Sequence, residues 1–246
     1  MTGSRNSAGA TPAGVKDERA AAAAIREMFS TIAPRYDLLN HVLSMNVDRL
    51  WWRRAARTFD HILGKPDATA LDLCCGTADM ALALRRRAPG AQVVGVDFSH
   101  PMLQLASRKV GARIRLVEAD GLSLPFADGR FDLVVSAFGF RNLANYDAGL
   151  REIFRVLNDA GEVGILDFGE PRGVLGSVYR LYFKRVLPAI GTLISGVKGP
   201  YAYLPASVER FPSPDEMLER MRVAGFRSVV WTPYTFGIAG LYRGTK

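Results

Sequence analysis

Two kinds of hydrophobic rhythm follow one another along the chain. Helix formers dominate from Glu18 to Ile32, and Pro34 stops that run; a second helical region, rich in Trp and Arg, extends from Asp48 to Leu63 and ends at Gly64. From Ala68 onward short apolar runs alternate with helical patterns. The runs Ala70–Cys74, Gln92–Val96, Arg113–Glu118, Phe131–Ala137 and Glu162–Phe168 predict strands, and Met80–Ala88, Pro101–Val110 and Asp147–Leu157 predict the helices between them. Strands and helices alternating at this spacing form βαβ units around a buried parallel sheet. A late pair, Ser228–Thr232 and Gly237–Tyr242, predicts a hairpin added to the sheet's end. Residues 1–17, made of Gly, Ser, Ala, Thr and Pro with scattered charge, read as a disordered tail. No repeat and no interdomain linker interrupts the rest, so residues 18–246 are expected to form one domain.

Composition narrows the picture without changing it. With 48% hydrophobic and 23% charged residues in 246, the chain has the makings of a proper core. The two cysteines, Cys74 and Cys75, are adjacent and unsuited to a loop-closing disulfide, and the three histidines are scattered. That excludes a disulfide framework, argues against a metal site and fits a reducing cytoplasm. No signal peptide is apparent, since Ala21–Ala24 is too short, and the most apolar stretch, Val174–Val197, is broken by Arg180, Lys184, Arg185 and Pro188. The net charge of +8 suits either solubility or an anionic partner such as a phospholipid surface. The longest basic run is only Arg85–Arg87, so no nucleic-acid partner is expected.

The chemistry gathers where the strands end. The first strand closes on Asp72-Leu73-Cys74-Cys75-Gly76-Thr77-Ala78-Asp79, where a glycine at the bend lets backbone approach a ligand. Only one of the three glycines of the dinucleotide fingerprint is present, which counts against a nicotinamide or flavin enzyme. The second strand closes on Asp97-Phe98-Ser99, whose carboxylate can accept the two hydroxyls of a ribose. The third closes on Asp120-Gly121, where a carboxylate can accept from an adenine amine. Any one of these acids has a plain alternative as a helix cap or turn residue. Three in succession on parallel strands are harder to explain that way.

Together these segments resemble the class I S-adenosylmethionine (SAM)-dependent methyltransferases, and more narrowly the C-methyltransferases of ubiquinone and menaquinone biosynthesis. The narrower likeness begins at Met28-Phe29-Ser30-Thr31-Ile32-Ala33-Pro34-Arg35-Tyr36-Asp37-Leu38-Leu39-Asn40 and resumes at Ala137-Phe138-Gly139-Phe140-Arg141-Asn142. It continues in Leu193-Ile194-Ser195-Gly196, Tyr203-Leu204-Pro205 and Arg210-Phe211-Pro212. The chain departs from the family pattern at Ala78, where many members carry glycine, at Asp48, at Asn158–Gly161, at Asp167–Gly169 and at Ala137, where a serine is common.

The resemblance implies a Rossmann-like, doubly wound, mostly parallel seven-stranded sheet with a terminal antiparallel hairpin, residues 67–246, under a helical lid, residues 18–66. It implies SAM as donor, S-adenosylhomocysteine as product and no metal. The cofactor residues would be Asp72, Gly76, Thr77, Asp97, Phe98, Asp120, Gly121, Ser136 and Ala137. The expected acceptor is a prenylated hydroquinone, demethylmenaquinol above all, with another small aromatic or lipid acceptor as the alternative. Ionising a phenol of pKa about 10 at pH 7 costs roughly 4 kcal/mol. Arg141 is expected to offset that cost, with Asn142 on the second ring oxygen and Tyr36 and Asn40 closing the site. A stripe of Tyr179, Tyr182, Phe183, Val186, Leu187 and Ile190 at helical spacing offers a place for a prenyl tail or a membrane surface, or simply core packing. The chain is thus expected in the cytoplasm or at the inner face of the plasma membrane, with a homodimer left open.

Overall fold

The computed structural model describes residues 9–10, 17–33, 46–169, 171 and 200–246. Tyr36, Asn40 and the 179–190 stripe lie outside the described residues. Strands β1 (Thr69–Leu73), β2 (Gln92–Asp97), β3 (Arg115–Glu118), β4 (Phe131–Ala137), β5 (Leu157–Phe168), β6 (Arg227–Tyr234) and β7 (Ala239–Thr245) form one seven-stranded sheet in the order β3-β2-β1-β4-β5-β7-β6. The first five pair in parallel; β7 enters antiparallel between β5 and β6. This is the expected mostly parallel sheet with a terminal hairpin.

Side chains alternate across the sheet, as the pleat dictates. Ala70, Leu133 and Val135 pack on one face with Phe59, Ala81 and Leu84; Leu71, Leu73 and Val134 pack on the other with Leu150, Ile153 and Met217. Both faces are therefore apolar, which explains the continuous hydrophobic runs. Helices α1 (Glu18–Ile32), α2 (Val47–Thr58), α3 (Asp60–Leu63), α4 (Asp79–Arg87), α5 (His100–Val110), α6 (Tyr146–Val156), α7 (Pro200–Arg210) and α8 (Pro214–Val223) complete the layers.

Several boundaries differ from the pattern-based expectation. The helical run Asp48–Leu63 is broken at Phe59, whose backbone leaves the helical region while its fully buried ring packs in the core. β1 stops at Leu73 because Cys74 turns left-handed, and Arg113 closes a 3-10 turn before β3. Helix α8 has a sequence signal that periodicity overlooks: Ser213 and Glu216 form a reciprocal capping box with Pro214 in the first turn. Within the segment read as a tail, Gly9 and Ala10 pack against the molecule. The Ala10 amide donates to the Leu143 carbonyl at 2.8 Å, and a Cβ on Gly9 would fall 2.0 Å from the Ala144 carbonyl oxygen.

The neighbour order reverses at β1, which lies between β2 and β4, so the crevice beyond their carboxyl ends is where such a sheet receives ligands. Helix α1 reaches that edge. Arg26 lies 5.3 Å from the Phe98 ring centroid, the Ser30 hydroxyl meets that of Ser99 at 3.2 Å, and Asn145 donates to Glu18 at 2.9 Å.

Candidate active site

Where β1 ends the backbone alternates in hand: Cys74, Gly76 and Ala78 have φ of 56°, 53° and 67°. Only Gly76 adopts this without a Cβ penalty; for the other two it is on the order of 1–2 kcal/mol each. Asp97 supports the loop from β2. One of its carboxylate oxygens accepts the Gly76 amide at 2.8 Å and the other accepts the Ser99 amide at 2.9 Å, so a single buried side chain joins two strand tips. Burial raises the Asp97 pKa, and the backbone amides and Arg26 oppose that rise. Asp97→Ala is expected to cost about 2 kcal/mol in urea unfolding of the ligand-free protein, because it orphans the buried Ser99 amide and the part-buried Gly76 amide.

Asp72 is more deeply buried and less satisfied. Its Oδ2 accepts the Ala81 amide at 2.8 Å, while Oδ1 is buried with no partner among the described residues. Burial, reinforced by the charges of Asp97 and Asp79, pushes its pKa up to about 8. Ser136 is also buried, and its hydroxyl has no partner among the described residues. Gly139 brings the loop after β4 against the loop after β1; a Cβ there would lie 2.4 Å from the Cys74 Cβ and 3.4 Å from the Ser136 hydroxyl. Burial pushes both cysteine thiols well up, which suits packing residues rather than nucleophiles.

The other predicted cofactor residues divide in two. Asp120 is exposed, and its Oδ1 accepts the Leu122 amide at 2.9 Å. Phe98 and Ala137 are half-buried. Gly121 has a packing reason to be glycine, since a Cβ would lie 3.0 Å from Leu143 and 3.3 Å from Leu73. The Thr77 hydroxyl meets Lys109 at 3.2 Å and Asp79 at 3.4 Å, so its side chain is already engaged.

The loop after β4 carries the second half of the site. Arg141 is 5% exposed, and its guanidinium donates to Asp167 at 2.8 Å, to the Phe138 carbonyl and to the Ser207 hydroxyl at 3.4 Å. Asp167, fully buried at the end of β5, also accepts the Arg141 amide at 3.1 Å. Arg141 is thus a fixed but paired cation, whose Nη2 has no hydrogen bond among the described residues. Asn142 accepts from the Tyr203 hydroxyl at 3.2 Å. Burial raises the Tyr203 pKa while Arg141 and Arg210 oppose the rise. Beside this loop Trp51, Phe138 and Phe168 pack with centroids 4.6 to 6.2 Å apart. Asp167, Tyr203 and Ser207 were not among the expected site residues. Their role depends on strands and helices distant in sequence that meet only in the fold.

The model of the ubiE/COQ5 methyltransferase family matches residues 13–246. The chain belongs to that family. It is 52% identical over 223 residues to a demethylmenaquinone methyltransferase of Thermus thermophilus, covering 89% of this chain and 100% of that protein. It is 49% identical over 236 residues to a demethylmenaquinone methyltransferase of Deinococcus radiodurans, covering 94% and 96%. In three dimensions it is similar, with a TM-score of 0.65 and 20% identity, to a SAM-dependent methyltransferase of Thermotoga maritima described as a possible histamine N-methyltransferase; 89% of this chain and 99% of that one are covered. At that identity the likeness concerns the fold alone.

As a ubiE/COQ5 methyltransferase the chain is an enzyme that uses SAM, and the strand tips have the chemistry to hold it. The unpaired Oδ1 of Asp72 is a buried acceptor suited to an ammonium group, and the Ser136 hydroxyl offers a further polar contact. The left-handed turn at Gly76 exposes backbone for close approach. Among the described residues, no helix is long and apolar enough to cross a membrane.

Proposed function

We propose that this ubiE/COQ5 family member methylates a ring carbon of a prenylated hydroquinone, with demethylmenaquinol as acceptor, at a membrane surface. The observation that carries the chemical part is the contact of two loops, the one after β1 next to the half-satisfied Asp72 and the one after β4 that holds Arg141, where a Cβ on Gly139 would lie 2.4 Å from the Cys74 Cβ. The acceptor follows from the names of the two relatives above. SAM, when bound, supplies the methyl group and carries its own leaving group.

The chain's residues bind and orient. Asp72 accepts the donor's ammonium, Asp97 the ribose hydroxyls and Asp120 the adenine amine, with Phe98 beside the ring. Arg141 donates its Nη2 hydrogens to the acceptor's ring oxygen and lowers the cost of ionising the phenol. Its pairing with Asp167 moderates the charge it presents but holds the donor in place before the acceptor arrives, the preorganisation that makes such a contact effective. Asn142, oriented by Tyr203, takes the second oxygen. Helix α1, which meets the β2 tip through Arg26 and Ser30, excludes water, which favours a step that consumes an anion and a sulfonium.

Incubating the purified chain with methyl-labelled SAM and demethylmenaquinol should place the label in the quinone fraction. Label appearing only in another small aromatic or lipid acceptor would replace this reading with the alternative one.

A further inference from the structure

The exposed side of α2 is dense in arginine. Arg49, Leu50, Arg53, Arg54 and Arg57 are all exposed, whereas Asp48, Trp51, Ala55 and Ala56 are buried. On one flank α2 meets α4 across a cleft of about 430 Å³, lined by Arg49, Arg53, Arg57, Arg86, Arg87 and Lys109 among others. Lys109 is paired with Asp79, and Arg87 with Asp60. The side chains of Arg49, Arg53, Arg57 and Arg86 make no salt bridge among the described residues.

On the other flank lies the tip of the β6–β7 hairpin. The Trp51 indole donates to the Thr235 hydroxyl at 2.8 Å, and Arg54 lies over the Tyr234 ring at 4.2 Å. The next residue, Phe236, is 81% exposed with a left-handed φ of 57°, and Leu50 on α2 is 62% exposed. Two large apolar side chains thus stand out of a surface otherwise crowded with arginine. The same tip adjoins the carboxyl end of β5, where the Gly169 amide donates to the Ile238 carbonyl at 2.9 Å. Trp51 packs on Phe138 and Phe168, so this surface borders the loop that carries Arg141.

We propose that the exposed face of α2 and the β6–β7 tip form the membrane-docking surface. The arginine-lined cleft takes anionic phospholipid headgroups, and Leu50 and Phe236 insert at the interface. The apolar pair decides between membrane and nucleic acid: a nucleic-acid surface needs the arginines but gains nothing from an exposed leucine and phenylalanine in water. Charge complementarity supplies the rest, since each Lys or Arg near an anionic bilayer contributes on the order of 1 kcal/mol, about five-fold in binding. Docked this way, the mouth of the site faces the bilayer. A prenyl tail can then stay in lipid while its ring enters the protein. That last consequence rests on the proposed acceptor; the docking itself does not.

The test is cosedimentation of the full chain with phosphatidylcholine vesicles, with and without 30% phosphatidylglycerol. The native chain should bind the anionic vesicles, weaken as salt rises, and bind the neutral ones poorly. The double variant Arg53→Glu/Arg57→Glu should bind anionic vesicles at least ~30-fold more weakly, and Leu50→Ser/Phe236→Ser should weaken binding with the salt dependence preserved. Both should keep native methylation of a short-tailed, water-soluble demethylmenaquinol and lose it on a long-tailed one in vesicles. Native-strength vesicle binding by both variants would overturn the proposal, as would binding of RNA in preference to anionic vesicles. Failure of the native chain to methylate the soluble acceptor would instead count against the proposed function and leave the vesicle result standing.

Discussion

Asp72→Asn should weaken binding of SAM and of S-adenosylhomocysteine by about 100-fold while making the ligand-free protein more stable at high pH. A charge-assisted hydrogen bond to a buried carboxylate contributes on the order of 2–3 kcal/mol, and the substitution removes the charge without changing the shape. The opposite effect on stability follows from the pKa. Asp72 titrates at about 8 in the folded protein, against about 3.9 for an ordinary aspartate, so the fold prefers its protonated form. The stability it contributes is fully present below pH 4 and is lost as pH rises through 8. The loss is at most about 6 kcal/mol, from about four pKa units at roughly 1.4 kcal/mol each. Asparagine has no such dependence. Thermal melts of the two proteins should therefore nearly coincide at or below pH 4 and separate progressively up to pH 9, with the variant higher. Calorimetry of the native protein near pH 7 should show proton release on ligand binding as Asp72 ionises against the ammonium. Equal ligand affinity in the variant would remove Asp72 from the site.

Arg141→Ala should abolish methylation and also destabilise the protein by roughly 3–5 kcal/mol, since it leaves Asp167 charged and unpaired in a fully buried position. The single variant cannot separate the two roles, but a double variant does. Arg141→Met with Asp167→Asn is neutral on both sides and keeps one acceptor oxygen for the two amides, of residue 141 and Phe168, that Asp167 serves. It should recover part of the stability while turnover stays down by 10²–10³, the usual effect of removing a preorganised donor. Titrating rate against pH adds a second readout: without the arginine the pH at which the acceptor ionises should move up, so residual activity should rise with alkalinity more steeply than in the native enzyme. A double variant with native turnover would confine Arg141 to holding the loop.

Much of this protein is legible in its order of residues. The alternation of apolar runs with helical patterns determined the βαβ layout, because a strand buried on both faces must be apolar throughout and a covering helix must not. The acids at Asp72, Asp97 and Asp120 stood out because each lies at or near the carboxyl end of a predicted strand, and parallel strands bring those ends to one edge. Tertiary structure alone decided how those acids differ: Asp97 is doubly engaged by backbone amides, Asp72 has one oxygen without a partner among the described residues and Asp120 is exposed to solvent. It also turned Arg141 from a free cation into the partner of Asp167, 26 residues away in the chain, and gave Asn142 its orientation through Tyr203, 61 residues away. Local spacing sets which face of an element a side chain occupies, whereas pairing, burial and pKa depend on what the rest of the chain brings to that face.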